Sequence, residues 1–287
     1  MPGKQQPSSN AISLSDLDRL QWVESIRFNS FGVRVAVRVD RTGVLNRIEP
    51  FLPPGWKPSR SRNVDRVYSV LVRGEGDSGL GRLKVVYADA VQITKTSKLN
   101  YAIDALESDV QLFVAETAPH RVFVHAGVVA LGDEAIVIPG RSFSGKTSLV
   151  AALVKAGAIY YSDEYAVLDE RGRVHKYTRR LGIRQKGKGK TKRYEVEELG
   201  GRKGVKPLPV AMIIVSKYQE GARWRPRQLS DGEAALELMA NTVSARRRPE
   251  AMLEAIRPVV SRALVFKGTR GETDQVVDFI FKKLRCD

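Results

Sequence analysis

"IVIPGRSFSGKTSLVAAL" runs from Ile136 to Leu153, and its reading decides how the rest of the chain is placed. A short apolar run reaches Gly140, four residues intervene before Gly145, and Lys146, Thr147 and Ser148 follow at once. The run before Gly140 has the texture of a buried strand, and the stretch after Gly145 that of a helix. Glycines at this spacing let the backbone curl so that successive N–H groups point inward, while the helix N-terminus adds its positive end. Lys146 then reaches the outer phosphates of a bound nucleotide, and the Thr147 hydroxyl suits one position around Mg²⁺. The expected binding set is Gly140, Arg141, Ser142, Phe143, Ser144, Gly145, Lys146, Thr147 and Ser148. The bland alternative is a glycine-containing turn at a strand–helix junction that binds nothing.

Only sixteen residues separate Thr147 from Asp163 in "YYSDEYAVLD". A strand, loop, helix, strand unit of that length brings the second strand back close to the first, with its end at the same sheet edge as the glycine loop. Asp163 and Glu164 are expected there. Backbone alternation turns adjacent side chains in different directions, so the pair could divide metal binding and proton acceptance, with Thr147 completing the metal set. A solvated acidic turn is the competing reading. His125 is placed by pairing arithmetic: a two-residue turn at Gly132 and Asp133 pairs Leu131 with Glu134 and sets His125 opposite Gly140. An imidazole there could hold Asp163 or a phosphate oxygen, or be a packed histidine bonded to a carbonyl. His120 and His175 are read as structural or exposed. A second glycine pattern, Gly74, Gly76 and Gly79 in "GEGDSGLG", joins two alternating strands with no helix after it and carries Glu75 and Asp77. It is read as a hairpin loop and not a dinucleotide site.

With 287 residues, 43% of them hydrophobic, the chain can bury a sizeable core. The single cysteine, Cys286, excludes a disulfide framework and a multi-cysteine metal cluster. No run of eighteen apolar residues suggests a membrane span, and the first residues lack the apolar core of a secretory signal, so a cytoplasmic protein is expected. The net charge of +16 is uneven: residues 171–206 hold fourteen Lys and Arg against three Glu. That excess of 11 is about two thirds of the total. The segment is read as a solvated loop or as a docking arm for an acidic peptide or protein. Nucleic acid is disfavoured, since Tyr177 and Tyr194 are its only aromatics and no groove-reading helix is evident.

Along the chain, residues 1–12 read as a flexible tail and 13–118 as a mainly antiparallel α+β region. In the latter, Ser15 and Asp18 form a capping box, and a covering helix over 98–116 carries Leu99, Ile103, Leu106, Val110, Leu112 and Phe113. From 119 to 287 the texture changes to near-continuous apolar strands alternating with helices, an α/β domain with a mixed sheet and a basic insertion around 176–206. Helices capped by Ser230 and opened by Pro249 are expected in it.

"HAG" at His125, "GRSFSGKT" and "SDEYAVLDERGRV", in this order and at this spacing, resemble the HPr kinase/phosphorylase family, especially its related bacterial serine kinases. The similarity covers about residues 100–287. It implies a kinase core of that type and transfer of the γ-phosphate of ATP, with Mg²⁺, to a serine hydroxyl of a protein, a peptide or free serine. Asp163 then matches the catalytic carboxylate and His125 its neighbour, while Lys146 and Thr147 match the nucleotide and metal ligands. Arg141 or Arg180 would stabilise the transferred group. Homo-oligomers are common among such enzymes and are a further expectation. Two other functions fit the glycine loop: a nucleotide-sensing module without catalysis, and a nucleic-acid-stimulated ATPase.

Overall fold

The computed structural model describes residues 13–72, 83–140, 144–184 and 191–284. The tail at 1–12, the glycine pattern at Gly74–Gly79 and Cys286 lie outside them. The chain is a mixed α/β protein with mixed sheets and forms two compact units, Met1–Pro119 and His120–Asp287.

The first unit contains α1 (Leu14–Asp18), β1 (Glu24–Ser30), β2 (Val33–Val39), α2 (Val44–Ile48), β3 (Lys57–Pro58), β4 (Arg66–Val72), β5 (Lys84–Ala88), β6 (Val91–Thr96) and α3 (Leu99–Thr117). Its six strands run in the order β3-β1-β2-β4-β5-β6. Every neighbouring pair is antiparallel except β2 and β4. Period-two alternation buries Val33, Val35, Val37 and Val39 and turns Arg34 and Arg38 to the other face. The cap of α1 is Ser13, whose Oγ accepts the Asp16 N–H at 3.1 Å, not Ser15. Helix α3 buries Ala102, Ile103, Leu106, Val110, Phe113 and Val114. Leu112, expected in that stripe, is 41% exposed, because it lies two positions from Val110 and so off the buried face.

The second unit contains β7 (Val122–Leu131), β8 (Glu134–Pro139), α4 (Lys146–Lys155), β9 (Ile159–Ser162), β10 (Tyr165–Leu168), β11 (Arg173–His175), β12 (Leu181–Arg184), β13 (Thr191–Tyr194), β14 (Leu208–Tyr218), β15 (Arg227–Gln228), α5 (Asp231–Ala240), α6 (Pro249–Val260), β16 (Leu264–Arg270) and α7 (Asp274–Leu284). The large sheet has the order β11-β10-β7-β8-β14-β16-β15, with β9 also on β7. Strands β8, β14 and β16 are mutually parallel, and β7 is antiparallel to β8. The sheet is filled on both faces. Leu149, Val150 and Leu153 of α4 and Ile280 of α7 pack with Ile214 and Phe266, whereas Leu238 of α5 and Met252, Ile256 and Val259 of α6 pack with Val137, Ile213 and Val265. Ser230 and Glu233 form a reciprocal capping box on α5, and Pro249 opens α6.

Two expectations need correction. "AIYYSDEYAVLD" is not one strand adjoining β8. It is β9 and β10, both antiparallel to β7 and interrupted at Asp163 and Glu164, so β7 lies between it and β8. The cause is the hairpin at Gly132–Asp133, which claims that edge of β8 first. The basic segment is also not a solvated loop throughout. Tyr177, Leu181 and Val196 are each 0% exposed, β12 and β13 form an antiparallel hairpin, and residues 196–199 make a 3-10 turn. Leu181 and Val196 are placed so that they close the α4 face of the sheet, while Tyr177 packs against Phe123 and Tyr165.

Candidate functional site

The β7–β8 register puts Ala126 opposite Pro139, and the Gly140 N–H donates to the His125 carbonyl at 3.0 Å. His125 and the first glycine of the loop are therefore direct neighbours. Gly145 has φ +86 and is the N-cap of α4, a backbone state that favours glycine. A Cβ on Gly140 would stand 2.7 Å from Ser144 Oγ, so the loop closes tightly on itself there. Ser144 Oγ is buried and finds no hydrogen-bond partner among the described residues. Lys146 and Thr147 form the first turn of α4, and Ser148 is exposed beside them. Arg141, Ser142 and Phe143 lie outside the described residues.

The strand break brings Asp163 to this turn. Its Oδ2 is 3.4 Å from Thr147 Oγ1, which donates to it, and its Oδ1 accepts from the Tyr160 hydroxyl at 2.9 Å. Tyr160, itself 0% exposed, is also 3.0 Å from the Arg179 carbonyl. The break is stabilised by Ser162, a fully buried residue whose Oγ accepts the N–H groups of Glu164 and Tyr165 at 3.1 and 3.0 Å. Asp163 is 8% exposed. Burial holds its carboxyl above the ordinary carboxylate range, opposed by the Arg179 charge, the Tyr160 hydroxyl and the Gly182 N–H. Two groups on that carboxylate thus come from the basic segment, a link that nothing in the charge pattern announces.

Glu164 faces elsewhere. Its Oε1 is 4.0 Å from His125 Nδ1, and the His125 ring lies 4.9 Å from that of Tyr165. Burial, with the nearby Lys146 charge, lowers the His125 pKa and favours the neutral imidazole. The Lys146 ammonium is pushed down by burial and drawn back up by Glu164 and Asp163. The structure therefore assembles Lys146, Thr147, Asp163, Glu164 and His125 at one edge, with Asp163 nearer Thr147 and Glu164 nearer His125. Arg180 is not part of this group: its Nε donates to Glu195 at 2.6 Å, and Arg179 is the arginine beside Asp163. His175, the last residue of β11, pairs at 3.0 Å with Asp169, just past β10, and His120 is exposed.

Sequence reasoning missed three more residues here. Tyr160 was read only as a strand residue. Arg270, at the end of β16, is 2% exposed, and its Nη2 donates to the Gly145 carbonyl at 2.9 Å. Tyr218, at the end of β14, places its Cβ 3.8 Å from where a Gly145 Cβ would stand. For Tyr218 and Arg270 the only available signal was that each closes a strand of the second unit.

The donor set suits a hard divalent cation bound with a phosphate: a hydroxyl and a carboxylate 3.4 Å apart at a helix N-terminus. Among the described residues no three His, Cys, Asp or Glu side chains gather into a protein-only metal cage. No helix among them is long and apolar enough to cross a membrane. The chain matches no protein-family model and no curated protein.

Proposed function

We propose that the chain is an ATP-dependent kinase that transfers the γ-phosphate to a serine hydroxyl, with a core of the HPr-kinase type and the glycine loop as its phosphate cradle. The observation that carries this reading is the approach of Thr147 Oγ1 to Asp163 Oδ2 at the start of α4. A phosphate-binding turn alone serves a nucleotide holder equally well. A buried carboxylate held against it is what a proton-accepting step needs.

Phosphoryl transfer draws most of its rate from positioning and from neutralising charge on the phosphate oxygens. In this reading the loop amides and Lys146 grip the phosphates. Thr147 and Asp163 are the residues that would hold Mg²⁺, which supplies charge neutralisation when bound. Asp163 also accepts the proton of the serine hydroxyl as its oxygen attacks. Tyr160 and the Gly182 N–H fix the carboxylate's orientation. His125, held neutral, positions Glu164 and lines the acceptor's approach. The acceptor is a serine-bearing acidic peptide or protein drawn to the basic hairpin. That hairpin is rooted at Asp163 through Gly182, and its β12 packs against α4.

Labelled ATP, Mg²⁺ and a cell extract, with the wild type, Lys146→Ala and Asp163→Asn, test the proposal. A labelled phosphoserine product is expected with the wild type alone, and nucleotide binding is expected to survive in Asp163→Asn but not in Lys146→Ala. Transfer undiminished in Asp163→Asn would remove the carboxylate from the mechanism. Tight nucleotide binding with no product would favour a sensor without catalysis, and hydrolysis stimulated by RNA or DNA the ATPase.

A further inference from the structure

The chain leaves β8 through α4 and returns at β9, two positions away on one side. It leaves β14 through α5 and α6 and returns at β16, on the other side. The two crossovers lie on opposite faces of the sheet. The crevice between the carboxyl ends of β8 and β14 is therefore the point where the winding reverses, the place at which open α/β sheets hold their ligands. Gly140 stands just past the end of β8, and Tyr218 ends β14.

The two flanks of that crevice differ in chemistry. Asp163, Glu164 and His125 all lie on the β7, β9 and β10 side. On the β14 and β16 side the strand ends carry an aromatic ring and a buried cation, Tyr218 and Arg270, which are register partners. Alternation puts both on the α4 face, with Ile214 and Phe266. Arg270 joins three parts: Nη2 donates to the Gly145 carbonyl and Nη1 to the Gly271 carbonyl, each at 2.9 Å, and its Cζ lies 5.6 Å from the Tyr218 ring centroid. That last distance is within the range of a cation–π contact. Its Nε is buried with no hydrogen-bond partner among the described residues. Tyr218 nonetheless keeps 42% of its surface exposed, so an aromatic side chain stands beside Gly145 with much of its surface open.

Resting on the kinase reading above, we propose that the ends of β14 and β16 form the nucleoside half of the site, with the Tyr218 ring as the platform on which the base stacks. Arg270 is the positioning residue that ties the platform to the Gly145 carbonyl. The polarity follows from the two flanks. A triphosphate whose terminal group faces Asp163 must extend its other end away from the carboxylates, toward β14 and β16. Stacking on one ring reads the π-face and not the hydrogen-bonding edge, so the subsite accepts adenine and guanine alike.

Calorimetric titration with Mg²⁺ and two probes, ATP and inorganic tripolyphosphate, tests this on the wild type, Tyr218→Leu, Tyr218→Phe and Lys146→Ala. Tyr218→Leu keeps apolar cover and removes the aromatic face. It should bind ATP at least about fivefold more weakly with tripolyphosphate affinity unchanged, and Tyr218→Phe should match the wild type with both probes. Lys146→Ala should lose both. If the wild type binds neither probe, the phosphate-cradle reading falls and takes the subsite with it. If the wild type binds both and Tyr218→Leu loses neither, or loses both equally, the subsite alone is overturned.

Discussion

Gly127 lies in the "HAG" stretch, one residue past the partner of Pro139, where α4 crosses β7. A Cβ built there would stand 2.5 Å from Val150 Cγ2, 3.8 Å from Ile138 Cβ and 3.9 Å from Lys146 Cβ. Carbon atoms rest about 3.5–4.0 Å apart, so Gly127→Ala leaves a deficit of roughly 1 Å against Val150. Val150 is 0% exposed and, being β-branched in a helix, has a single favourable χ1. It cannot swing aside, and α4 must lift or tilt. Overpacking of this kind costs about 1–3 kcal/mol. The first turn of α4 carries Lys146 and Thr147, so the same movement opens the 3.4 Å approach of Thr147 to Asp163. Misplacement of about 1 Å at a reacting centre lowers turnover by about a hundredfold. Urea unfolding and nucleotide titration of Gly127→Ala, Val150→Ala and the double variant make a complete cycle. The double variant should recover at least about 1 kcal/mol relative to the sum of the singles and regain affinity. Additive losses, or a Gly127→Ala midpoint equal to the wild type's, would refute the close crossing.

The remaining predictions concern stability. Asp169 accepts hydrogen bonds from the Arg171 and Arg173 backbone and from the His175 ring at 2.9–3.0 Å. Burial raises its pKa, but these bonds and the Arg173 charge outweigh it and the net direction is down. A depressed carboxylate stabilises the fold fully above its unfolded pKa of 3.8 and loses that contribution as pH falls through the folded value. Asp169→Asn should therefore lower stability at pH 7 by about 1–3 kcal/mol and flatten the acid limb below pH 3.8, read by urea midpoints across pH; an unchanged limb would count against it. Leu181→Ala should cost about 2–5 kcal/mol, because Leu181 is 0% exposed within the α4-side core. A change under about 0.5 kcal/mol in chemical denaturation would return that stretch to a solvated arm.

The features legible in sequence were those fixed by local backbone chemistry. The glycine spacing around Gly140 and Gly145 set a strand–turn–helix junction, Ser230 and Glu233 set a helix start, and Gly132 with Asp133 set the hairpin that puts His125 beside Gly140. What failed depended on competition for partners. The edge of β8 that Asp163's strand was expected to approach is taken by β7 through that hairpin, and residues 159–168 instead pair with the far edge of β7, register partners 29 (159 − 130) to 46 (168 − 122) positions apart that periodicity does not encode. The basic stretch misled for a related reason: its charge density describes the solvated side of a hairpin, while three apolar residues, Tyr177, Leu181 and Val196, decide where it is anchored. Tyr218 and Arg270 were invisible as a pair because their nearness is a parallel register between strands more than fifty residues apart.

The interrupted strand accounts for the site's asymmetry. Had residues 159–168 continued unbroken along β7, strand alternation alone would have set the Asp163 and Glu164 side chains on opposite faces of the sheet. Ser162 Oγ instead accepts the Glu164 and Tyr165 N–H groups, and the turn this holds carries Asp163 to Thr147 while Glu164 stays near His125. A buried hydroxyl thus supports the carboxylate's reach at this one point. No equivalent break occurs on the other side of the crevice, where β14 and β16 stay in unbroken register to their last residues, Tyr218 and Arg270. A regular pair of strands is suited to hold a rigid ring and a buried guanidinium in place. A broken one is suited to aim two carboxylates at different neighbours, and the different chemistry of the two flanks follows from that difference in backbone.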